Sequence, residues 1–306
     1  MIDNTLWIER YRPQSLEDFI GNDFVKEKIQ TFISTQDMPS ILLFGGAGGG
    51  KTTLGKILVE NIECDYLYIN ASDENNVETI RTRVKNFAVT LGFHKWKIIF
   101  LDEFSEMSFQ AQGILRNLME ECSQTTRFIL TCNYIEKVID PIQSRCQAFN
   151  IIPPSKKDIA IHTANILEQE SITYLPTDLK VLVDTYYPDI RRLIGECQKL
   201  ALNGELKLNK EAVLEANYVL KVIDILKSKK SASQSLIEIR QLFADSQVTD
   251  FSQLYQMLYD QVDNYSAGHT AEIILKTAEY EYQSQTRLIK ELSATSLIIS
   301  ILELIR

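Results

Sequence analysis

Gly45-Gly46-Ala47-Gly48-Gly49-Gly50-Lys51-Thr52 fits the spacing G-x-x-x-x-G-K-[ST]. Five of the chain's 12 glycines fall in six positions here and run directly into Lys-Thr, a pattern beyond what a flexible turn requires. Backbone N–H groups in such a loop point inward at phosphate oxygens, which a side chain at Cβ would obstruct. A helix opening behind the loop adds the partial positive charge of its N-terminus. Lys51 then reaches the β- and γ-phosphates of a nucleoside triphosphate, and the Thr52 hydroxyl ligates Mg²⁺. Ile98-Ile99-Phe100-Leu101-Asp102-Glu103 follows in the right order as an apolar strand ending in two carboxylates. Asp102 would hold Mg²⁺, directly or through water, and Glu103 would polarise the attacking water. An acidic pair alone commonly does no more than solvate a strand end; behind a glycine loop it is a specific signal.

Phe128-Ile129-Leu130-Thr131-Cys132-Asn133 ends in a polar amide. Asn133 there either senses a γ-phosphate and its water or simply opens the next turn. Arginines follow in Ser144-Arg145-Cys146 and in Asp189-Ile190-Arg191-Arg192; by residue type alone each suits a solvated surface equally well.

These groups need a frame. Ser40 to Phe44 reads as a buried strand before the loop, and Thr53 to Glu60 carries Leu54, Ile57 and Leu58 at helical spacing behind it. Further short apolar runs at Tyr66 to Asn70, Ile98 to Leu101, Phe128 to Asn133 and Phe149 to Ile152 alternate with helical stretches. That alternation predicts a parallel sheet of five strands with helices on both faces, an α/β fold. Pro153-Pro154 breaks the pattern. From Lys156 to about Leu202 the periodicity is helical, through Ile159, Thr163, Ile166, Leu179, Leu182, Val183, Leu193 and Leu200. The last hundred residues are nearly free of proline and glycine. Stripes at Leu236, Ile239, Phe243 and at Leu254, Leu258, Val262 predict long packed helices there, with a solvated turn at Lys227 to Ser231. The expected domains are 1–153, 154–207 and 208–306.

At 306 residues, 45% hydrophobic and 24% charged, the chain has the composition of a soluble globular protein with two or three cores. No apolar run reaches membrane-spanning length, and the opening residues lack a signal-peptide pattern, so a cytoplasmic location is expected. Five cysteines without a C-x-x-C pair and three dispersed histidines suggest neither a zinc site nor a disulfide framework; each cysteine reads as a small buried hydrophobe. The net charge of −9 argues against a protein coated in nucleic acid, yet leaves room for a local basic path.

Taken together, Gly45 to Thr52, Asp102-Glu103, Asn133, Ser144-Arg145-Cys146 and Asp189 to Arg192 resemble the AAA+ ATPases, specifically the small subunits of DNA polymerase clamp loaders of the replication factor C type, in their phage-like version. Trp7-Ile8-Glu9-Arg10-Tyr11-Arg12-Pro13 is similar to the family's opening "W-x-E-K-Y-R-P", Phe19-Ile20-Gly21-Asn22 to its "V-G-N" box, and Asn70-Ala71-Ser72-Asp73-Glu74 to its "N-A-S-D-E". Ala111-Gln112, Leu115-Arg116, Met119-Glu120 and Thr125 to Phe128 follow its pattern as well. The resemblance is specific over residues 6 to about 200; beyond that only helical character and domain order agree.

The resemblance implies an AAA+ P-loop domain, a small helical lid and an all-α collar that joins subunits. ATP would be bordered by Tyr11, Arg12, Pro13, Ile20 and Gly21, and held by Gly45, Gly48, Gly49, Gly50, Lys51, Thr52 and Thr53, with Thr52 and Asp102 on Mg²⁺. Glu103, Lys51 and Asn133 would act on the phosphates, with Arg191 sensing ATP in its own subunit and Arg145 supplied as a finger to a neighbour's ATP. The implied assembly is a pentameric spiral of identical subunits and one distinct subunit, which opens a sliding clamp and loads it onto primer-template DNA during replication, in the host cytoplasm if phage-encoded. Arg81, Arg83 and Lys85 would meet the DNA backbone, the alternative being a solvated helix face. Gln112 and Arg116 match a helix that couples DNA to the ATP site, and Met107, Phe109 and Ile114 are candidates for clamp contact or for the core. The sequence departs from the family pattern at Gly46, Ala47 and Gly49, at Ser105 and at Pro188, without losing a catalytic group. Competing readings are another DNA-acting AAA+ motor, for branch migration or helicase loading, and a non-catalytic stator.

Overall fold

The computed structural model describes residues 6–306 apart from 209, 229, 247, 249 and 250. Lys229, in the turn expected at 227–231, lies outside the described residues. The chain divides into two compact units between Leu206 and Lys207.

In the first unit, β1 (Ile41–Phe44), β2 (Cys64–Asn70), β3 (Trp96–Asp102), β4 (Thr126–Cys132) and β5 (Gln147–Asn150) form a parallel sheet in the order β2-β3-β4-β1-β5. Every residue of β3 is buried and β4 nearly so, because helices cover both faces; an unbroken apolar run is what such a strand requires. Alternate residues part to opposite faces. Ile98, Phe100, Ile129 and Leu43 pack with Leu54, Ile57 and Leu58 of helix Lys51–Asn61, whereas Ile99, Leu101, Phe128 and Leu130 pack with Ile80, Val84 and Leu115. The glycine loop leaves β1, Asp102 ends β3, and Asn133 follows β4, so the chemistry-bearing groups gather at the carboxyl ends of adjacent strands.

Two expectations need correction. The last strand is Gln147–Asn150 rather than Phe149 to Ile152. Ile151 N–H still donates to Phe44 O (2.7 Å), but the Asn22 side chain then takes both backbone groups of Ile152 and draws the chain off the sheet before Pro153. The region read as helical to Leu202 ends instead in a small antiparallel hairpin, Ala201–Leu202 with Glu205–Leu206. Asn203 and Gly204 both take positive φ (52° and 81°), the Asn-Gly hairpin-turn signal, which the helical reading passed over.

Helices Lys156–Gln169, Pro176–Tyr186 and Ile190–Leu200 belong to the same compact unit as the sheet. Ser155 caps the first by accepting from Asp158 N–H, and Asp189 caps the third by accepting from Arg192 N–H (3.0 Å). The opening segment bridges to them: Trp7 N–H donates to Gln198 Oε1, and Arg10 and Tyr11 both donate to Glu170 Oε1.

The second unit contains helices Lys210–Lys227, Ala232–Asp245, Ser252–Asp260, Thr270–Thr286 and Lys290–Ile305. Ile239, Phe243, Leu254 and Leu258 are buried with Val222, Ile223, Leu297 and Ile301 in its core, as their spacing predicts. Val262 is buried too, in a short 3₁₀ turn past the end of its stripe's helix. No described helix is long and apolar enough to cross a membrane.

Candidate functional site

The loop after β1 must turn where side chains obstruct. Gly48 (φ 77°) lies so close to Asp189 that a Cβ would stand 2.9 Å from its carboxylate, and a Cβ on Gly50 (φ 90°) would fall 2.5 Å from the Phe19 ring. Helix Lys51–Asn61 starts directly behind. Lys51 is 8% exposed and its Nζ donates to Gly45 O (2.9 Å) and Gly46 O (2.8 Å), so an ammonium sits inside the loop. Burial holds its pKa below the usual lysine value, against the raising influence of Cys132, Asp102 and Glu103.

Asp102 is 5% exposed at the end of β3. Its carboxylate accepts three hydroxyls: Thr52 Oγ1 at 2.8 Å to Oδ1 and 3.1 Å to Oδ2, Thr131 Oγ1 at 2.5 Å to Oδ1, and Tyr68 OH at 2.9 Å to Oδ2. Glu103 takes the left-handed conformation (φ 55°), rare for a side chain of its kind. Its N–H is held by Thr131 Oγ1 (3.0 Å), and the buried Phe104 and Ser105 anchor the 3₁₀ turn that follows. The kink sends the two carboxylates apart: Asp102 onto Thr52, Glu103 outward to accept from the Ser72 hydroxyl.

A cavity of about 390 Å³ joins these parts. Gly48, Gly49, Gly50, Lys51, Thr52 and Thr53 of the loop and its helix line it, with Asp102, Glu103 and Asn133 from the strand ends, Tyr11, Arg12, Pro13 and Ile20 from the opening segment, and Arg191 from helix Ile190–Leu200. Of the expected nucleotide-bordering residues, Gly21 faces a neighbouring cleft of about 790 Å³ and packs against Pro154, and Gly45 contributes through its carbonyl to Lys51. Tyr68, Thr131, Lys56 and His162 also line or brace the cavity and were missed by the sequence reading. Strand alternation is the signal that finds Tyr68, which shares a face of β2 with Asn70, the register partner of Asp102.

The residues fit a nucleotide with Mg²⁺. A loop cradle with a buried ammonium suits phosphates, and one hydroxyl beside one buried carboxylate suits a cation that keeps water and phosphate ligands. No cluster of three or more His, Cys, Asp or Glu able to hold a metal alone exists among the described residues.

Other expected residues lie elsewhere. Arg145 is exposed, pairing with Glu120 and donating to Pro141 O (2.6 Å). Arg81, Arg83 and Lys85 are exposed on a helical stretch, Val77–Thr79 through Lys85–Val89, interrupted by a π-turn at Ile80–Val84. Arg83 pairs there with Glu74. Gln112 is buried, bonding Met107 O, Lys137 O and Ile139 N–H, so it braces two loops. Met107 is core, Ile114 is partly buried and Phe109 is exposed; Leu91 and Phe93, in the loop before β3, are fully exposed. Cys122, Cys132 and Cys197 are buried, whereas Cys64 and Cys146 are only half-buried, packed at the core edge rather than in it. Burial nonetheless pushes the Cys146 thiol up to about 12.

Residues 41–154 match the model of the ATPase family associated with various cellular activities (AAA). The replication factor C small subunit of Halobacterium salinarum is 37% identical over 214 residues, 68% of this chain and 66% of that protein. That of Sulfurisphaera tokodaii is 34% identical over 286 residues, 91% of this chain and 82% of that protein. The chain belongs to the replication factor C small-subunit family. The Methanothermobacter thermautotrophicus small subunit likewise matches 84% of each chain at 34% identity. This small-subunit-family chain carries an AAA ATPase domain, and its fold is that of AAA+ P-loop proteins: the Thermotoga maritima RuvB Holliday junction branch migration motor aligns with a TM-score of 0.58 over 82% of this chain and 91% of that one. At 16% identity the RuvB likeness speaks to the fold alone.

Proposed function

We propose that this chain is the ATP-hydrolysing small subunit of a sliding-clamp loader. The observation that carries the reading is the convergence of glycine loop, Lys51, Thr52, Asp102, Glu103, Asn133 and Arg191 on one cavity in a chain of this family. Lys51 and the loop N–H groups bind the β- and γ-phosphates; Thr52 and Asp102 hold Mg²⁺. When bound, Mg²⁺ supplies Lewis-acid stabilisation of charge developing on the phosphate oxygens. Glu103, free of the cation, orients and deprotonates water; Asn133 positions that water, and Arg191 contacts the γ-phosphate within the subunit. Tyr11, Arg12, Pro13 and Ile20 border the base.

Arg145, which does not line its own chain's cavity, acts on a neighbour's ATP, so hydrolysis reports assembly. In this reading residues 1–153 are the ATPase domain, 154–207 the lid and 208–306 the collar. Copies of this chain with one distinct subunit form a pentameric spiral, in the cytoplasm, that ATP favours; the spiral opens the clamp and grips primer-template DNA, and hydrolysis releases both. Arg81 and Lys85 touch the DNA backbone without reading bases, and Arg83 joins them once its pairing with Glu74 yields to phosphate. The exposed Leu91 and Phe93 are better suited to meet the clamp than the buried Met107.

The test is loading itself: labelled clamp retained on primed circular DNA through gel filtration. The assembled complex should load only with ATP, and Lys51→Ala should abolish loading. Loading that persists without ATP would overturn the proposal.

A further inference from the structure

Three hydroxyls meet on Asp102, and only two of them have a role already. Thr131 also receives the Glu103 N–H, and Thr52 opens the loop helix. Tyr68 comes from β2, the edge strand, where it pairs in register with Phe100 while Asn70 pairs with Asp102. Alternation therefore puts Tyr68, Phe100 and Asp102 on one face. The Tyr68 ring meets Phe100 edge-on, with centroids 5.2 Å apart at 88°, and Lys56 Nζ lies 5.7 Å from the ring centroid. These contacts aim the hydroxyl at Asp102 Oδ2 (2.9 Å).

The two carboxylate oxygens are not equally secured. Oδ1 accepts from Thr52 and Thr131; Oδ2 accepts from Tyr68 and, more weakly at 3.1 Å, from Thr52. Thr52 is the hydroxyl that must leave Asp102 to ligate a cation. Once it turns, Thr131 holds one oxygen and Tyr68 the other. Without the phenol, the carboxylate would be fixed at one corner and free to rotate about its soft terminal torsion.

We propose that Tyr68 is a positioning residue that locks the Asp102 carboxylate in the orientation required for Mg²⁺ when Thr52 moves to the metal. The inference rests on reading this cavity as an ATP–Mg²⁺ site. The phenol O–H is a donor, and Asp102 Oδ2 is the acceptor it meets.

Tyr68→Phe removes one oxygen and leaves the ring against Phe100, so the full-length chain is the proper subject. The probe is fluorescent mant-ATP, titrated in EDTA and then across Mg²⁺ concentrations. Tyr68→Phe should bind mant-ATP in EDTA within about 2-fold of the parent and need about 10-fold more Mg²⁺ for half of the metal-dependent response, the size of effect typical of residues behind a metal ligand. In an Asp102→Asn background the same change should add nothing, because the phenol acts through that carboxylate. Coincident Mg²⁺ titrations for Tyr68→Phe and the parent would overturn the inference. So would an equal loss in EDTA, since the hydroxyl would then act on the nucleotide. A parent chain that binds mant-ATP neither with nor without Mg²⁺ would instead remove the nucleotide reading, and the inference with it.

Discussion

Lys51 donates to the carbonyls of its own loop, and burial lowers its pKa from the ordinary 10.5. A desolvated ammonium satisfied by two neutral carbonyls gains when a phosphate replaces them, because charge-assisted hydrogen bonds exceed neutral ones. Losing such bonds costs about 1.5–3 kcal/mol, so Lys51→Ala should weaken mant-ATP binding about 10- to 100-fold. The sign of the pH effect follows from the depressed pKa: the charged form prevails below it, and binding should weaken with rising pH before the ordinary lysine range is reached. Equilibrium titrations at several alkaline pH values check this, and the trend should vanish in Lys51→Ala. At this scale the sequence was informative for charged residues that a motif singles out, Lys51, Asp102 and Glu103. No motif singles out Tyr68 or Thr131, whose hydroxyls matter only through the partner that folding sets beside them.

Helix Lys51–Asn61 delivers Lys51 and Thr52 only if it lies close on the sheet, and Gly55 permits that approach. A Cβ there would stand 2.5 Å from Phe100 Cζ, on a ring that is fully buried. Gly→Ala inside a helix gains about 1 kcal/mol of intrinsic propensity, whereas overpacking a close-fitted core costs about 1–3 kcal/mol. The clash wins. Gly55→Ala should lower the denaturant midpoint of the first unit and also weaken ATP binding, as the helix N-terminus shifts from the loop. Both tryptophans, Trp7 and Trp96, lie in that unit, so their fluorescence reports its unfolding alone. An unchanged midpoint would contradict this account of the packing. The five strands were legible because buried parallel strands need continuous apolar runs, as at Ile98 to Leu101. Their ends were less so: β5 stops where Asn22, 130 positions away in sequence, captures Ile152. The hairpin at Asn203-Gly204 was readable in principle from its turn residues.

For the whole molecule, the decisive geometry is that the cavity contains every proposed catalytic group except Arg145, which rests on Glu120. An exposed ion pair of this kind is worth little, so a neighbour's phosphates can recruit the guanidinium at small cost. A complex made wholly of Arg145→Ala subunits should therefore bind mant-ATP as the parent does, yet hydrolyse it about 10³- to 10⁵-fold more slowly. Single-turnover ATP hydrolysis by the assembled complex measures that directly, and normal turnover would sink the assignment. The helical stripes of the last hundred residues were legible as packing, through Ile239, Phe243, Leu254 and Leu258; what those helices join was not, since a core stripe identifies no partner. The most direct test of the central claim is the steady-state ATPase rate of this chain with its replication partners, under four conditions: no addition, clamp alone, primer-template DNA alone, and both. The loader account predicts synergistic stimulation by clamp and primer-template together, abolished by Glu103→Gln. Stimulation by DNA alone, indifferent to any clamp, would contradict it and point to a translocating motor.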